Sequence, residues 1–345
     1  MAITEWDDYL IHQIADTIDM VQGQNPHWMD RFFFGCHNAE GTLHLMAGLG
    51  TYPNVNVMDG FVCVRNKDVQ RNIRLSRHLQ ADRANAEIGP LSFKVLEPLK
   101  RWGIYLGDNE YDIGCSMEFE GRVAPYLFPK IGGGDPESVS QIHYNQPGRY
   151  TGSIMFEGQQ FEVDGFLGAR DRSWGIRAPG SFAALEIYLW IQAQFSSFSL
   201  TLLYVELLDG AISVCMGGIL NDDGSVIPIT ETHQRIEFIP GFRAYSKLEL
   251  LLKDADGVER NLMVKPISPG CYMWGGGYDA LHGRDRGSFH VEGERWDVSQ
   301  PVAIDSPRFG QYQRDAELQL DKETGIGLIE ASFTRSDTWQ YKPNW

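Results

Sequence analysis

The chain has 345 residues, of which 43% are hydrophobic and 22% charged, a composition typical of folded proteins and unlike that of disordered ones. Acidic residues outnumber basic ones by 46 to 30, and the formal charge of −16 opposes binding to phosphate backbones and anionic lipids. We therefore expect neither nucleic acid nor a membrane among its partners. Five widely spaced cysteines, without a Cys-x-x-Cys pair, argue against a disulfide framework and a zinc site.

The first predicted element is a short helix over residues 4–21. Thr4 is a suitable N-cap, and Gly23 and Pro26 follow the last turn. Apolar residues recur at helical spacings of three and four, namely Trp6, Leu10, Ile14, Ile18 and Val21. We expect this helix to pack on a β structure.

Short strands dominate the rest of the chain, most of them separated by Gly, Asn, Asp or Pro. Strands at such regular spacing are typical of β-sandwiches and β-barrels, and without strand–helix alternation a doubly wound nucleotide-binding fold is disfavoured. The predicted strands cover residues 32–34, 42–47, 55–65, 91–96, 101–106, 111–122, 149–156, 159–169, 184–194, 199–208, 211–220, 225–240, 244–254, 259–266, 288–296 and 325–334.

The predicted strands fall into two groups that meet near Ala178-Pro179-Gly180. We therefore predict an all-β protein with two antiparallel domains, each a barrel or a sandwich. The first covers residues 1–178, with the N-terminal helix packed on it, and the second covers residues 179–345. A glycine-rich stretch at residues 127–147 predicts a long loop, and the basic residues between Arg65 and Arg83 predict a solvated surface segment.

The longest apolar stretch, residues 183–205, contains Glu186 and several polar side chains. Two adjacent buried strands explain it better than a membrane span does. The N-terminal residues are acidic where a signal peptide carries basic ones. We therefore expect no membrane span and a cytoplasmic location.

A charged run around a tryptophan lies just before the joint at residues 178–180. Its sequence is Gly168-Ala-Arg-Asp-Arg-Ser-Trp-Gly-Ile-Arg177. Alternation along an extended chain predicts two faces, with Asp171 and Ser173 on one and Arg170, Arg172 and Trp174 on the other. Because buried charges must be paired, the run predicts an inter-domain salt-bridge network or an active site. In the second case Asp171 is the acid, and Arg170 and Arg177 orient it.

The same run resembles the Arg-Asp-His-Ser-Trp-Gly-x-Arg signature of a lipocalin-related, two-domain β family that includes hydroxyneurosporene synthase (carotenoid 1,2-hydratase)-like and AttH-like proteins. Segments 48–54, 96–102 and 325–330 add to the resemblance, which spans most of the chain. It implies two calycin-like domains with a hydrophobic cavity, and hydration, dehydration or cyclisation of isoprenoid or polyene-like substrates. Arg172 stands where many relatives have His, and Arg does not lose its proton in a protein.

Hydration of an unactivated alkene needs a carboxylic acid in a dry pocket and aromatic faces that stabilise a carbocation. Glu186 alternates with Tyr188 and Trp190 on a predicted strand, which places the three side chains on one face. A second group of candidates lies in the glycine-rich run 270–283, and a last one in a strand flanked by glycines. The candidate substrate-binding residues are Trp174, Glu186, Tyr188, Trp190, Tyr272, Trp274, Tyr278, His282 and Glu330.

We therefore predict a lyase or isomerase that uses neither a cofactor nor a metal. It would act by acid catalysis on a hydrophobic isoprenoid, steroid-like or aromatic molecule bound where the two halves meet. One alternative is a non-catalytic carrier of an apolar small molecule, with the Arg-Asp-Arg-Ser-Trp run as a structural latch. Another is an interaction protein with an aromatic surface, and the sequence also leaves a homodimer open.

Overall fold

The structure is a computed structural model, which describes residues 10, 12–21, 23–132, 139–177, 185–278, 281–306, 310–334 and 341–345. Over these residues the chain consists of strands, turns and short 3-10 turns, and α-helix is absent. The predicted all-β class is thereby confirmed. None of the described segments forms a helix with the length and hydropathy needed to cross a bilayer.

The strands are β1 (Trp28–His37), β2 (Leu43–Tyr52), β3 (Val57–Asn66), β4 (Val69–His78), β5 (Glu87–Ile88), β6 (Leu91–Glu97), β7 (Arg101–Leu106), β8 (Ile113–Gly121), β9 (Tyr126–Leu127), β10 (Ile131–Gly132), β11 (Val139–Phe156), β12 (Gln159–Arg177), β13 (Leu185–Gln194), β14 (Phe198–Leu207), β15 (Ile212–Asn221), β16 (Val226–Phe238), β17 (Tyr245–Asp254), β18 (Glu259–Pro266), β19 (Cys271–Tyr272), β20 (Phe289–Asp297), β21 (Tyr312–Leu320) and β22 (Glu323–Phe333).

The first sheet is an open, antiparallel half-barrel. Its strands follow the order β20-β4-β3-β2-β1-β12-β11-β8-β7-β6-β5, with β9 and β10 paired to β11. The long hairpin of β11 and β12 turns at Glu157-Gly158, where both residues have positive φ, as hairpin turns of this type require. One edge strand, β20, comes from the second half of the chain.

The second sheet closes into an eight-stranded antiparallel barrel. Its strands follow the order β18-β17-β16-β15-β14-β13-β22-β21, and β21 pairs back onto β18. The two-residue strand β19 adds to β21 outside this ring. The predicted pair of antiparallel barrel-like units is therefore present, as one closed barrel and one half-barrel.

Alternation along each strand decides which core a residue joins. Phe32 and Phe34 belong to the core of the half-barrel, whereas Phe33 between them faces the closed barrel. The residues buried between half-barrel and barrel, here called the seam cluster, include Phe33, Met46, Phe61, Cys63, Phe128, Ala169, Leu185, Trp190, Leu203, Val205, Cys271, Met273 and Leu328.

The predicted N-terminal helix is wrong over its described part. Residues 12–21 form bends and turns. Of the predicted apolar stripe, Leu10 is fully exposed, whereas Ile14, Ile18 and Val21 are half-buried without forming a helix. Residues 4–9 and 11 lie outside the described residues.

Two further expectations about the first half are corrected. The basic segment 65–83 contains β4, because Ile73 and Leu75 join the core of the half-barrel, and Arg65 is fully buried. The predicted loop 127–147 contains the start of β11, while residues 133–138 lie outside the described residues. The joint at residues 178–180 also lies outside them.

Candidate functional site

Glu330 is a carboxyl group enclosed at the seam. It lies on β22 with 6% of its surface exposed. Oε1 accepts a hydrogen bond from Nε2 of Gln311 at 2.7 Å, and Oε2 accepts one from Nε2 of Gln313 at 2.8 Å. Burial raises the pKa of Glu330 to about 7, with Asp171 adding to the shift and the two amide bonds opposing it. The group therefore changes its protonation near neutral pH.

Strand pairing explains why Glu330 faces the seam. Trp190 of β13 and Gln313 of β21 are its cross-strand partners on either side. Leu328, two residues earlier on the same face, belongs to the seam cluster, while Ile329 points into the barrel core. Trp190 also meets the ring of Phe33 edge-on at 6.0 Å, which joins this face of the barrel to the half-barrel.

Charged and phenolic side chains surround Glu330. Burial raises the pKa values of Tyr188 and Tyr278, and the negative charges of Glu330 and Asp171 raise both further. The guanidinium carbon of Arg31, a residue only 7% exposed, lies 5.3 Å from the ring centre of Tyr278. We call this group the Glu330 site, and its members are Arg31, Asp171, Arg177, Tyr188, Tyr278 and Glu330.

Asp171 reaches this site from the half-barrel. On β12, Asp171 pairs with Asn145 of β11 and Phe33 of β1, and Phe33 is part of the seam cluster. Its Oδ2 lies 3.4 Å from Nε2 of His143, and its side chain is 22% exposed. Asp171 and Glu330 therefore approach one another from the two sheets.

His282 and Asp59 form a polar pair beside Tyr278. Nδ1 of His282 lies 3.5 Å from Oδ1 of Asp59, whose Oδ2 accepts a hydrogen bond from the Gly283 amide at 2.6 Å. Burial lowers the pKa of His282 to about 4, and Arg31 adds to that shift, so the imidazole is neutral at pH 7. A small solvent-open cleft, lined in part by His282, Asp59 and Ser76, borders the pair.

Arg170 and Trp174 lie on the other face of β12. Arg170 is fully buried, donates from Nε to Oε1 of Gln146 at 2.7 Å and covers the ring of Trp102. Trp174 meets the ring of Tyr144 edge-on at 6.3 Å. Because alternate residues of a strand point to opposite faces, Arg170 stabilises the half-barrel and is not placed to orient Asp171.

Arg172 also acts within the half-barrel. It forms a two-pronged ion pair with Asp30 of β1. The Arg-Asp-Arg run thus ties β12 to β1 and β11 of one sheet, in place of the predicted network between domains.

The model of a family of unknown function, DUF8625, matches residues 3–336. The chain belongs to this family. No curated protein matches it.

Two solved structures resemble this DUF8625 protein over nearly its full length. An AttH-like protein from Nitrosomonas europaea has a TM-score of 0.60 at 14% identity, covering 90% of this chain and 93% of that one. Kievitone hydratase from Nectria haematococca has a TM-score of 0.51 at 9% identity, covering 95% and 94%. At these identities the similarity shows a shared fold, which agrees with the resemblance to AttH-like and hydratase-type proteins.

Tyr272 and Trp274 do not join the Glu330 site. The Tyr272 ring packs in the barrel core, 5.9 Å from Tyr312, while its backbone is hydrogen-bonded to the Gln70 amide. Trp274 lies in the 3-10 turn Met273–Gly276. A Cβ at Gly275 would lie 2.1 Å from the side chain of Asn72, so glycine here permits close approach to β4.

Glu186 is separated from Tyr188 and Trp190 by a β-bulge. The register shifts between Leu185 and Ile187, so simple alternation fails at this point. Burial raises the pKa of Glu186 to about 7, with Glu206 adding to the shift. Glu206 accepts a hydrogen bond from Tyr204 of the barrel core, so Glu186 lies beside the barrel interior rather than in the Glu330 site.

Sequence analysis missed the buried and half-buried polar residues that face Glu330 and the seam from both sheets, namely Arg31, His44, Asp59, Arg65, Gln311, Gln313 and Asp315. One signal was present: His37 and His44 are seven apart, and they are cross-strand partners in the β1–β2 hairpin. Within the described residues, no group of three or more His, Cys, Asp or Glu side chains is arranged to hold a metal ion.

Proposed function

We propose that this protein is a hydro-lyase, or an isomerase of the same acid-catalysed type, acting without a cofactor on a hydrophobic small molecule at the seam. The observation that carries the proposal is Glu330, a carboxyl enclosed between half-barrel and barrel whose pKa burial raises to about 7. A group with this pKa both gives and regains a proton at neutral pH.

In the hydration direction, the proton of Glu330 adds to one carbon of a substrate C=C bond, whose electron pair forms the new C–H bond. The other carbon becomes cationic, and the ring faces of Tyr188 and Tyr278 stabilise it. Water adds through its oxygen and loses a proton to the Glu330 carboxylate, which restores the acid. Dehydration is the reverse, and isomerisation loses a proton from a neighbouring carbon instead of adding water.

In this proposal Asp171 has a different role from the acid role expected from the sequence. With His143 at 3.4 Å it forms a polar pair on the half-barrel side, which accepts a hydrogen bond from the attacking water. Arg177 acts on the Glu330 carboxyl and Arg31 lies over the ring of Tyr278, and their guanidinium groups bind the oxygen-bearing end of the substrate.

The substrate class follows from the surroundings. Aromatic and aliphatic side chains of the seam cluster support an apolar substrate, in the classes of isoprenoids, steroid-like molecules and aromatics. Kievitone hydratase has a similar fold, and its name states a hydration. That likeness supports the reaction class and carries no information on which molecule binds here.

Glu330→Gln tests the proposal, with Glu186→Gln as the matched control, because burial raises both carboxyl pKa values to about 7 and only Glu330 lies in the site. A panel of hydrophobic alkenes and alcohols is incubated in ¹⁸O-labelled water and analysed by mass spectrometry. We expect label to enter a substrate with wild type and Glu186→Gln, and to fall by about 100-fold or more with Glu330→Gln. Equal labelling by Glu330→Gln overturns the assignment of the acid.

A non-catalytic carrier is the second candidate. The observation in its favour is that Arg170 and Arg172 form their contacts inside the half-barrel, as a structural latch would. Of the charged residues in the run, Asp171 and Arg177 remain at the Glu330 site. If the protein is a carrier, native mass spectrometry should show a bound compound from the panel. That compound should carry no ¹⁸O label after incubation with wild type or with either variant.

A further inference from the structure

A chain of buried polar contacts leads from Glu330 to the half-barrel. Gln313 donates to Glu330 through Nε2 at 2.8 Å, and its Oε1 lies 3.3 Å from Nε2 of His44. Nδ1 of His44 lies 2.6 Å from Oδ1 of Asp315, and Arg65 lies 2.5 Å from Oδ2. His44, Arg65, Gln313 and Asp315 are fully buried, so each polar atom here depends on these partners.

The hydrogen-bond roles restrict where protons can be. Asp315 is held as a carboxylate by Arg65 and accepts only, so Nδ1 of His44 carries a hydrogen. In the observed orientation of the Gln313 amide, its N–H donates to Glu330 and its oxygen points to Nε2 of His44. That contact is favourable only if Nε2 also carries a hydrogen, which makes His44 an imidazolium facing an ionised Glu330.

A second arrangement holds the same number of protons. If the Gln313 amide turns over, its N–H donates to the lone pair on Nε2 of a neutral His44. Its oxygen then accepts from Glu330, which must be the protonated acid. One proton has left Nε2 of His44 and one has arrived on Oε2 of Glu330, with no change in net charge.

We propose that the side-chain amide of Gln313 couples the proton of Glu330 to His44, so that His44 and Gln313 are positioning residues for the acid. The proposal rests on Glu330 being the acid of the proposed function. When no proton remains on Nε2 of His44 or on Glu330, both are acceptors, and the oxygen of the Gln313 amide faces a lone pair whichever way the amide turns. The coupling through Gln313 therefore disfavours loss of the last proton that His44 and Glu330 share.

Other charged and titratable groups also shift the pKa values of Glu330 and His44. Asp171 and Arg177 of β12, Tyr188 of β13 and Tyr278 face Glu330. Around His44, burial, Arg65 and His37 lower the imidazole pKa and Asp315 raises it. The net effect lowers the pKa of His44, which favours the second arrangement, with a neutral His44 and a protonated Glu330. None of these groups replaces Gln313 in the chain of contacts, and only His37 is changed in the test, as the control.

His44→Asn is the informative variant. An Asn amide reaches the position of Nδ1 and retains a donor for Asp315, but it has no counterpart of Nε2. With that lone pair gone, Gln313 donates to the Glu330 carboxylate without a conflict. We expect the titration midpoint of Glu330 to fall by about one pH unit, the size of one hydrogen bond to a charged group.

The readout is the Glu330 carboxyl itself, followed by infrared difference spectroscopy and by NMR of ¹³C-labelled glutamate, with Glu330→Gln used for assignment. His37→Asn is the matched control, because His37 stacks on His44 at 6.4 Å and Nδ1 bonds the Asn38 carbonyl. We expect no shift with His37→Asn, and none from His44→Asn when Gln313→Leu is already present.

The proposal is overturned if the Glu330 midpoint is unchanged in His44→Asn, or if the shift persists in the Gln313→Leu background. If His44→Asn does not fold, the wild type decides: the ¹⁵N resonance of His44 Nε2 must move with the same midpoint as Glu330, and a constant resonance refutes the coupling. These readouts need no substrate. A negative result for the coupling between His44 and Glu330 is therefore distinguishable from a negative result for the hydro-lyase activity.

Discussion

Nδ1 of His44, on the half-barrel, lies 2.6 Å from the carboxylate of Asp315, on the closed barrel. Arg65 binds the other oxygen of the same carboxylate, and all three side chains are fully buried. Burial opposes ionisation of Asp315, but His44, His37 and Arg65 hold its pKa well below the usual range. The two sheets are therefore joined by a charged contact inside the seam.

Asp315→Asn should lower the free energy of unfolding by about 3–5 kcal/mol, because it leaves Arg65 buried without its counter-charge. Asp285→Asn is the control, since Asp285 pairs with His78 on the surface, and it should change little. Urea unfolding at pH 7 measures both. The contribution of Asp315 should begin to disappear as the pH falls below 3.8, its ordinary pKa. Equal losses in both variants would contradict this account.

Glu330 should make the protein less stable as the pH rises. Its folded pKa of about 7 lies above its ordinary 4.5, so the cost of ionising it in the fold is absent below pH 4.5 and complete above about 7. The free energy of unfolding should fall by up to about 3 kcal/mol across that window. Glu330→Gln should reduce the slope in urea titrations at pH 5–8 and leave the part due to Glu186, whose pKa burial also raises to about 7. Glu120→Gln, on an exposed residue, should keep the whole slope.

Arg177→Met should raise the titration midpoint of Glu330 by several tenths of a pH unit, because Arg177 lowers the pKa of that carboxyl. Arg172→Met is the matched comparison: Arg172 lies on the opposite face of β12 and pairs with Asp30 of β1, so the midpoint should stay where it is. Carboxyl NMR of both variants measures the difference. A shift in Arg172→Met as large as in Arg177→Met would mean that the charged run acts on Glu330 as a whole.

Gly168→Ala should cost about 3 kcal/mol or more, because a Cβ at this position would lie 1.9 Å from the carbonyl oxygen of Gly35 on the paired strand. Gly158→Ala is the control: its hairpin has open space around it, and only the positive φ of 78° is strained, at about 1 kcal/mol. Thermal and urea unfolding of both variants test this. Similar losses would show that the space at Gly168 adjusts.

The local sequence pattern predicted most strands but missed β21, which carries Gln313 and Asp315. Residues 101–106 and 259–266 were predicted within their observed bounds because turn residues flank them on both sides. Strand β21 was missed because Asp315 makes it look too polar to be buried. The partners that make its burial possible, His44 and Arg65, precede it by 271 and 250 positions, and no local pattern shows them.

The site was predicted in part for the same reason. Glu330 was among the candidates as a carboxylate on a strand flanked by glycines, but its role as the acid depends on enclosure by residues of both sheets. Glu186 was assigned to the same face as Tyr188 by strict alternation, which the bulge before Ile187 breaks. A bulge depends on how two strands pair, so one strand's sequence does not predict it.

Strand β20 pairs with β4 along its whole length, from Phe289 opposite Arg77 to Asp297 opposite Val69. A nascent chain therefore leaves the ribosome with the β4 edge uncovered until more than two hundred further residues have been translated. A fragment that stops at residue 178 would carry that open edge permanently and would be prone to aggregate. Completion of the half-barrel thus waits for translation of most of the second half.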